Sequence, residues 1–183
     1  RQRQMCIRDS DRKCWSSCHP KQTNTGVLML SRLVNQAHPL GPDAKVLVLG
    51  GGYSGRCFAR LLNTLGTTVI STRRHPETDS SDLTFDSTTG VLPSFGDLEG
   101  ISHVLCTIPP SQDGQDPALE CLGALLKTIS PVWVGYLSTT GVYGDRQGNW
   151  VSESDAASPG QDRSRRRLEC CLLYTSPSPR DNR

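Results

Sequence analysis

The sequence predicts an α/β fold, a doubly wound parallel sheet with helices on both faces, and three observations predict it. From Lys45 onward, apolar runs of strand length alternate with stretches of helical periodicity. The first run, Val46-Leu47-Val48-Leu49, ends in Gly50-Gly51-Gly52-Tyr53-Ser54-Gly55, a Gly-x-Gly-x-x-Gly turn that passes straight into an amphipathic stretch. The chain has 183 residues, 35% of them hydrophobic and 21% charged, which is ordinary for one globular domain with a proper core.

Each element follows in order. Strand one is Lys45 to Leu49. The helix after it carries Phe58, Leu61, Leu62 and Leu65 at helical spacing, with Gly66 where a C-terminal cap belongs. Strand two is Thr67 to Thr72, strand three Leu83 to Asp86, and strand four Ser102 to Ile108, stopped by Pro109-Pro110, which cannot continue a ladder. Asp116 caps the next helix with Pro117 at its first position, and Leu119, Leu122, Leu125, Leu126 and Ile129 mark the buried face. Strand five is Val132 to Ser138, followed by a polar, Gly-rich stretch to about Pro159 and a final helix from Gln161.

The glycine turn has the order of a dinucleotide site. Gly50 lets the chain turn sharply out of a buried strand, Gly52 lets backbone approach a pyrophosphate, and Gly55 permits close helix packing. Tyr53 and Ser54 complete the turn, where a helix N-terminus offers free N–H groups to phosphates. This makes the predicted sheet Rossmann-type. About 20 residues past the first glycine, where a carboxylate would bind the ribose 2'-OH of NAD, stands Ser71-Thr72-Arg73-Arg74. Guanidinium groups pair with a 2'-phosphate that a carboxylate would repel, so these residues favour NADP, with NAD also possible, and disfavour FAD. The other reading of Arg73 and Arg74 is a pair of solvated loop charges.

Directly after strand five comes Tyr136-Leu137-Ser138-Thr139-Thr140-Gly141-Val142-Tyr143-Gly144-Asp145. With the glycine turn, this segment resembles the extended and atypical short-chain dehydrogenase/reductases, the NAD-dependent epimerase/dehydratase family, in which strand five leads into Ser-[Ser/Thr]-x-x-Val-Tyr-Gly. The resemblance covers Lys45 to Glu169, and Gly148-Asn149-Trp150-Val151-Ser152-Glu153 continues it. It implies that Thr139 takes the place of the catalytic Ser/Thr, whose hydroxyl bonds a substrate carbonyl or hydroxyl as charge develops. A strand-end capping hydroxyl is the alternative. The resemblance also puts Asp86 near the adenine, makes Thr107 to Pro109 a cofactor-lining segment, and gives Tyr143 a structural role.

The departure from that family is equally informative. Active members carry a Tyr-x-x-x-Lys pair, the tyrosine as general acid/base and the lysine lowering its pKa. Arg163 stands at the tyrosine position and Arg167 at the lysine position. Arginine keeps its proton at any working pH, so it cannot replace the tyrosine. The pattern is similar to the YeeZ-like branch, which keeps the cofactor turn and loses that tyrosine. The alternative reading of Arg163 to Arg167 is a solvated helix face.

The ends of the chain stand apart. Met5-Cys6-Ile7-Arg8-Asp9-Ser10 can be encoded by a DNA string whose reverse complement, read one base in, spells Cys171 to Thr175. Both ends resemble translated sequencing adapters. Residues 1–10 and 171–183 are therefore read as scars, 11–40 as a poorly ordered leader, and 41–170 as a Rossmann domain truncated at its C-terminus. The terminal segments are expected to pack poorly and to be dispensable for stability.

Composition narrows the remaining classes. A formal charge of +2 supports no nucleic-acid partner, and no stretch approaches the ~18 apolar residues of a membrane span, so a cytoplasmic protein is the default. Of eight cysteines, Cys57, Cys106 and Cys121 read as small buried hydrophobes with reduced thiols. Cys14, Cys18 and His19 lack a second ligand pair at zinc spacing, so no metal site is assigned. The expectation is an NAD(P)-dependent oxidoreductase or epimerase/dehydratase acting on a small molecule, with a nucleotide sugar among the candidates, and inactive as this fragment. The missing tyrosine leaves open a non-catalytic NADP(H)-binding regulator or scaffold.

Overall fold

A computed structural model of the chain describes residues 40–76, 80–152 and 154–175. The leader, with Cys14, Cys18 and His19, lies outside the described residues. In chain order the elements are β1 (Lys45–Leu49), α1 (Tyr53–Thr64), β2 (Thr68–Arg73), β3 (Leu83–Thr84), β4 (His103–Cys106), α2 (Pro117–Ile129), β5 (Trp133–Tyr136) and α3 (Asp162–Thr175). Short 3-10 turns occupy Gly96–Leu98 and Thr140–Tyr143.

The five strands form one sheet in the order β3-β2-β1-β4-β5, and every pairing is parallel. The chain winds outward from β1 to β3, then returns to the other side of β1 to lay down β4 and β5. This is the doubly wound Rossmann arrangement, and its direction reverses between β1 and β4. The period of two along β1 explains why both faces are covered. Val46 and Val48 face a cluster with Ala59 and Leu62 of α1, whereas Leu47 and Leu49 face one with Ala118, Leu122 and Leu126 of α2. These four β1 side chains are at most 1% exposed, and each such burial contributes ~1.5–3 kcal/mol.

Both helices end and begin as the sequence chemistry dictates. Gly66 adopts φ +80°, the Gly66 N–H donates to Asn63 O at 3.0 Å, and the Thr67 N–H donates to Leu62 O at 3.0 Å. That pair of bonds is a Schellman cap. At α2, Asp116 Oδ1 accepts from the Ala118 and Leu119 N–H groups at 2.9 and 3.0 Å, and Pro117 occupies the first turn. Asp116→Ala is expected to lower stability by ~0.5–2 kcal/mol, with Asp116→Asn retaining most of it. Urea midpoints of the three proteins check this; an unchanged midpoint for the alanine variant would show that the cap contributes nothing.

Several expectations need correction. Strands two to five are shifted or shortened by one or two residues at their ends, since the ladder stops where pairing stops. Asp86 is not in β3; it forms an isolated antiparallel bridge with Val91. On α1 the buried residues are Gly55, Ala59 and Leu62, because the helix presses its small side chains against β1. Cys57 is exposed on that helix, while Cys106 is buried and Cys121 half-buried. Residues 171–175 continue α3, and Tyr174 stacks on Tyr136 with ring centroids 4.8 Å apart, contrary to the poor packing expected from Cys171 onward.

Candidate cofactor-binding site

The glycine turn sits at the carboxyl end of β1, beside the crevice where the winding reverses, and is braced from both neighbouring strands. The Gly50 N–H donates to Thr72 Oγ1 at 3.1 Å, and the Gly51 N–H donates to Thr72 O at 2.6 Å. From the β4 side, Thr107 Oγ1 donates to Gly50 O at 2.7 Å. Gly50 has φ +98°, a conformation that favours glycine. A Cβ on Gly55 would overlap the Gly50 carbonyl oxygen, so this position brings α1 against the turn.

A cleft of about 590 Å³ opens above this turn. It brings together seven of the residues the sequence singled out: Gly50, Gly52, Thr72, Arg73, Arg74, Thr107 and Pro109. Tyr53, Ser54 and Gly55 begin α1 next to the cleft without lining it. Asp86 also stays out of the lining, although Phe85 and Ser87 on either side of it are part of it. Its carboxylate accepts from the Thr88 N–H and the Thr89 hydroxyl, each at 2.9 Å. Those bonds, the Thr88 backbone bond first, hold its pKa below the usual value.

The residues of the cleft fit a dinucleotide. Gly52 is the N-cap of α1 and supplies no side-chain acceptor, so the amide groups of the first turn have no side-chain partner there. A Cβ on Gly52 would meet nothing within 4 Å, which leaves space for a group bound against the backbone. Thr72 is 1% exposed and its hydroxyl is committed to the Gly50 N–H, so it acts on the cleft through the turn's shape.

The lining is cationic. Arg56, Arg73 and Arg74 contribute the charge, His75 lines the cleft beside them, and none of the lining residues is Asp or Glu. Arg73 Nε pairs with Asp82 Oδ2 at 2.9 Å, with both side chains less than a fifth exposed. Arg56 and His75 were missed in the sequence. The only signals for them are adjacency, Arg56 in the first turn of α1 and His75 after the Arg-Arg pair.

Thr139 lies outside the cleft lining, past the end of β5. It caps the 3-10 turn that follows β5, its Oγ1 accepting from the Gly141 N–H at 3.3 Å. A hydroxyl that accepts keeps its own proton to donate. Tyr143 is buried at 8% exposure. Arg163 is exposed, but Arg167 is half-buried and is no solvated face residue. Its Nη1 donates to Ile108 O and to Tyr136 Oη, both at 3.1 Å, and its guanidinium lies 5.2 Å from the Tyr136 ring centroid. Arg167 thus ties α3 to the ends of β4 and β5 beside the cleft. Burial pushes the Tyr136 phenol well above its ordinary pKa, although Arg167 opposes this. Burial, then Asp116, pushes the Cys106 thiol to about 11, so it stays protonated and unreactive at neutral pH.

No protein-family profile matches the chain, and no curated protein does. Solved structures match it. A conserved protein of unknown function from Silicibacter pomeroyi DSS superposes with a TM-score of 0.60 at 32% identity, over 73% of this chain and 49% of that one. UDP-N-acetylglucosamine 4-epimerase from Bacillus cereus gives 0.58 at 20% identity, over 73% and 51% of the two chains. MoeE5, solved in complex with UDP-glucose and NAD, gives 0.55 at 23% identity, over 74% and 50%. The chain has the fold of these proteins and spans about half their length. Among the described residues, no helix is long and apolar enough to cross a membrane.

Proposed function

We propose that this chain is the cofactor-binding part of an NAD(P)-dependent oxidoreductase or epimerase/dehydratase of the short-chain dehydrogenase/reductase superfamily, with NADP favoured. One observation carries the reading: the cleft at the winding reversal, floored by Gly50 and Gly52, has Arg56, Arg73, Arg74 and His75 in its wall and no acidic residue in its lining. A dianionic 2'-phosphate is stabilised by such a wall, whereas a ribose 2'-OH gains nothing comparable. The epimerase and the UDP-glucose and NAD complex among the structural neighbours support a nicotinamide dinucleotide and a small-molecule substrate of the nucleotide-sugar class. Composition supports a cytoplasmic protein with no nucleic-acid partner.

The bound nicotinamide would supply hydride transfer, and the chain's own residues orient and hold. The α1 amides and the glycine turn would take the pyrophosphate. Thr107 and Pro109 border the site from β4, and the Thr139 hydroxyl would donate a hydrogen bond to a substrate carbonyl or hydroxyl as charge develops. We place the chain in the YeeZ-like branch, which loses the usual tyrosine; here Arg167 anchors strand ends through Ile108 and Tyr136.

Calorimetric titration tests the cofactor reading: NADPH is expected to bind at least about tenfold tighter than NADH, and equal affinities would overturn it. A protein of the structural neighbours' length that carries this segment is expected to oxidise NADPH with a carbonyl or nucleotide-sugar substrate. Thr139→Ala should then cut kcat by ~10²-fold and leave dinucleotide affinity within about twofold. Full turnover in that variant would return Thr139 to a capping role alone.

A further inference from the structure

We propose that Gly51, the residue between the first two motif glycines, is a specificity-determining position: its missing side chain is what lets Arg73 lie against the turn and face the cleft. The inference rests on the NADP reading above and adds to it the residue that sets where Arg73 sits.

Four glycines occur in the turn, and three have reasons of their own. Gly50 needs its left-handed φ of +98°, Gly55 needs to clear the Gly50 carbonyl, and Gly52 faces open space. Gly51 differs. Its φ lies outside the left-handed region, so an L side chain meets no backbone strain there. A Cβ on Gly51 would instead stand 2.9 Å from Arg73 Cγ and 3.1 Å from Arg73 Nε, and 3.2 Å from Thr72 O. The space that a side chain at 51 would take is occupied by the stem of Arg73.

On its other side Arg73 is held by Asp82, whose Oδ2 pairs with Nε at 2.9 Å and which stays out of the cleft lining. Arg73 therefore meets both the Asp82 carboxylate and the bare backbone of Gly51. An alanine at 51 leaves the Gly51-to-Thr72 backbone bond able to form, since Thr72 O need give only a few tenths of an ångström. The Arg73 stem, by contrast, has to rotate away, and the guanidinium moves with it. NAD, which has no 2'-phosphate for Arg73 to meet, is largely indifferent to that displacement.

The test is a double-mutant cycle read as selectivity, the ratio of NAD to NADP dissociation constants, for the 183-residue chain, G51A, R73A and G51A/R73A. G51A is expected to lower the ratio about tenfold, and to alter it by less than about twofold once Arg73 is already alanine. The same fall in both backgrounds would overturn the inference by locating the damage in the turn itself, and so would an unchanged ratio for G51A. Equal affinities in the unaltered chain would overturn the NADP reading and this inference together. A clear NADP preference without coupling between positions 51 and 73 would overturn only the inference.

Discussion

Replacing Arg73 and Arg74 together with alanine is expected to weaken NADP binding by ~10²–10³-fold and to leave NAD binding within about threefold. Charge-assisted hydrogen bonds contribute about 1.5–3 kcal/mol each, and the lower half of that range for two of them, about 3–4 kcal/mol, gives this loss. The two arginines differ in setting: Arg73 is ion-paired and less than a fifth exposed, whereas Arg74 is exposed at the mouth of the cleft. Removing Arg73 also frees the Asp82 carboxylate, whose charge repels a 2'-phosphate and does little to a 2'-OH, so both consequences weaken NADP selectively. Both side chains of this pair are less than a fifth exposed, so removing Arg73 leaves Asp82 largely buried without its partner, and the variant should melt at a lower temperature than the unaltered chain. Calorimetry with both cofactors and a thermal melt measure this. Equal losses for NADP and NAD would place the arginines away from the phosphate.

What the sequence made legible was local. The run into the glycine turn, the Gly66 cap and the Asp116-Pro117 start each depend on residues a few positions apart, and each occurs where the pattern puts it. Seven of the chosen cofactor residues converge on one cleft because the strand ends of an α/β sheet that carry such motifs all lie on one side. What escaped was decided across the sheet. Arg167 reads as one more charge in an arginine run, and only the approach of α3 to β4 and β5 turns it inward onto Ile108 and Tyr136. Asp82 follows a polar loop, and only the β2-β3 register, Thr72 opposite Leu83, brings it to Arg73. Cys57 fits an apolar pattern yet faces outward, since Ala59 and Leu62 already fill the contact with β1.

Gly52 and Gly55 should separate binding from folding. Gly52→Ala adds a methyl to open space at φ −72°, which alanine adopts freely, and its cost as an N-cap change is under about 1 kcal/mol. Its unfolding midpoint should scarcely move. The same methyl would stand where backbone meets the pyrophosphate, so NADP and NAD affinity should both fall by more than about tenfold, without the selectivity that marks Arg73 and Arg74. Gly55→Ala does the reverse in order of cause. Its Cβ overlaps the Gly50 carbonyl, which already accepts from Thr107, and it crowds Val48 Cγ1 at 3.1 Å. Neither the turn nor the buried strand can yield without shifting α1, so stability should drop by ~1–3 kcal/mol, with binding lost as a consequence. Thermal melts paired with titrations of both cofactors decide between the two patterns. If Gly52→Ala bound NADP and NAD as tightly as the unaltered chain, the cleft above the turn would not be where the pyrophosphate sits.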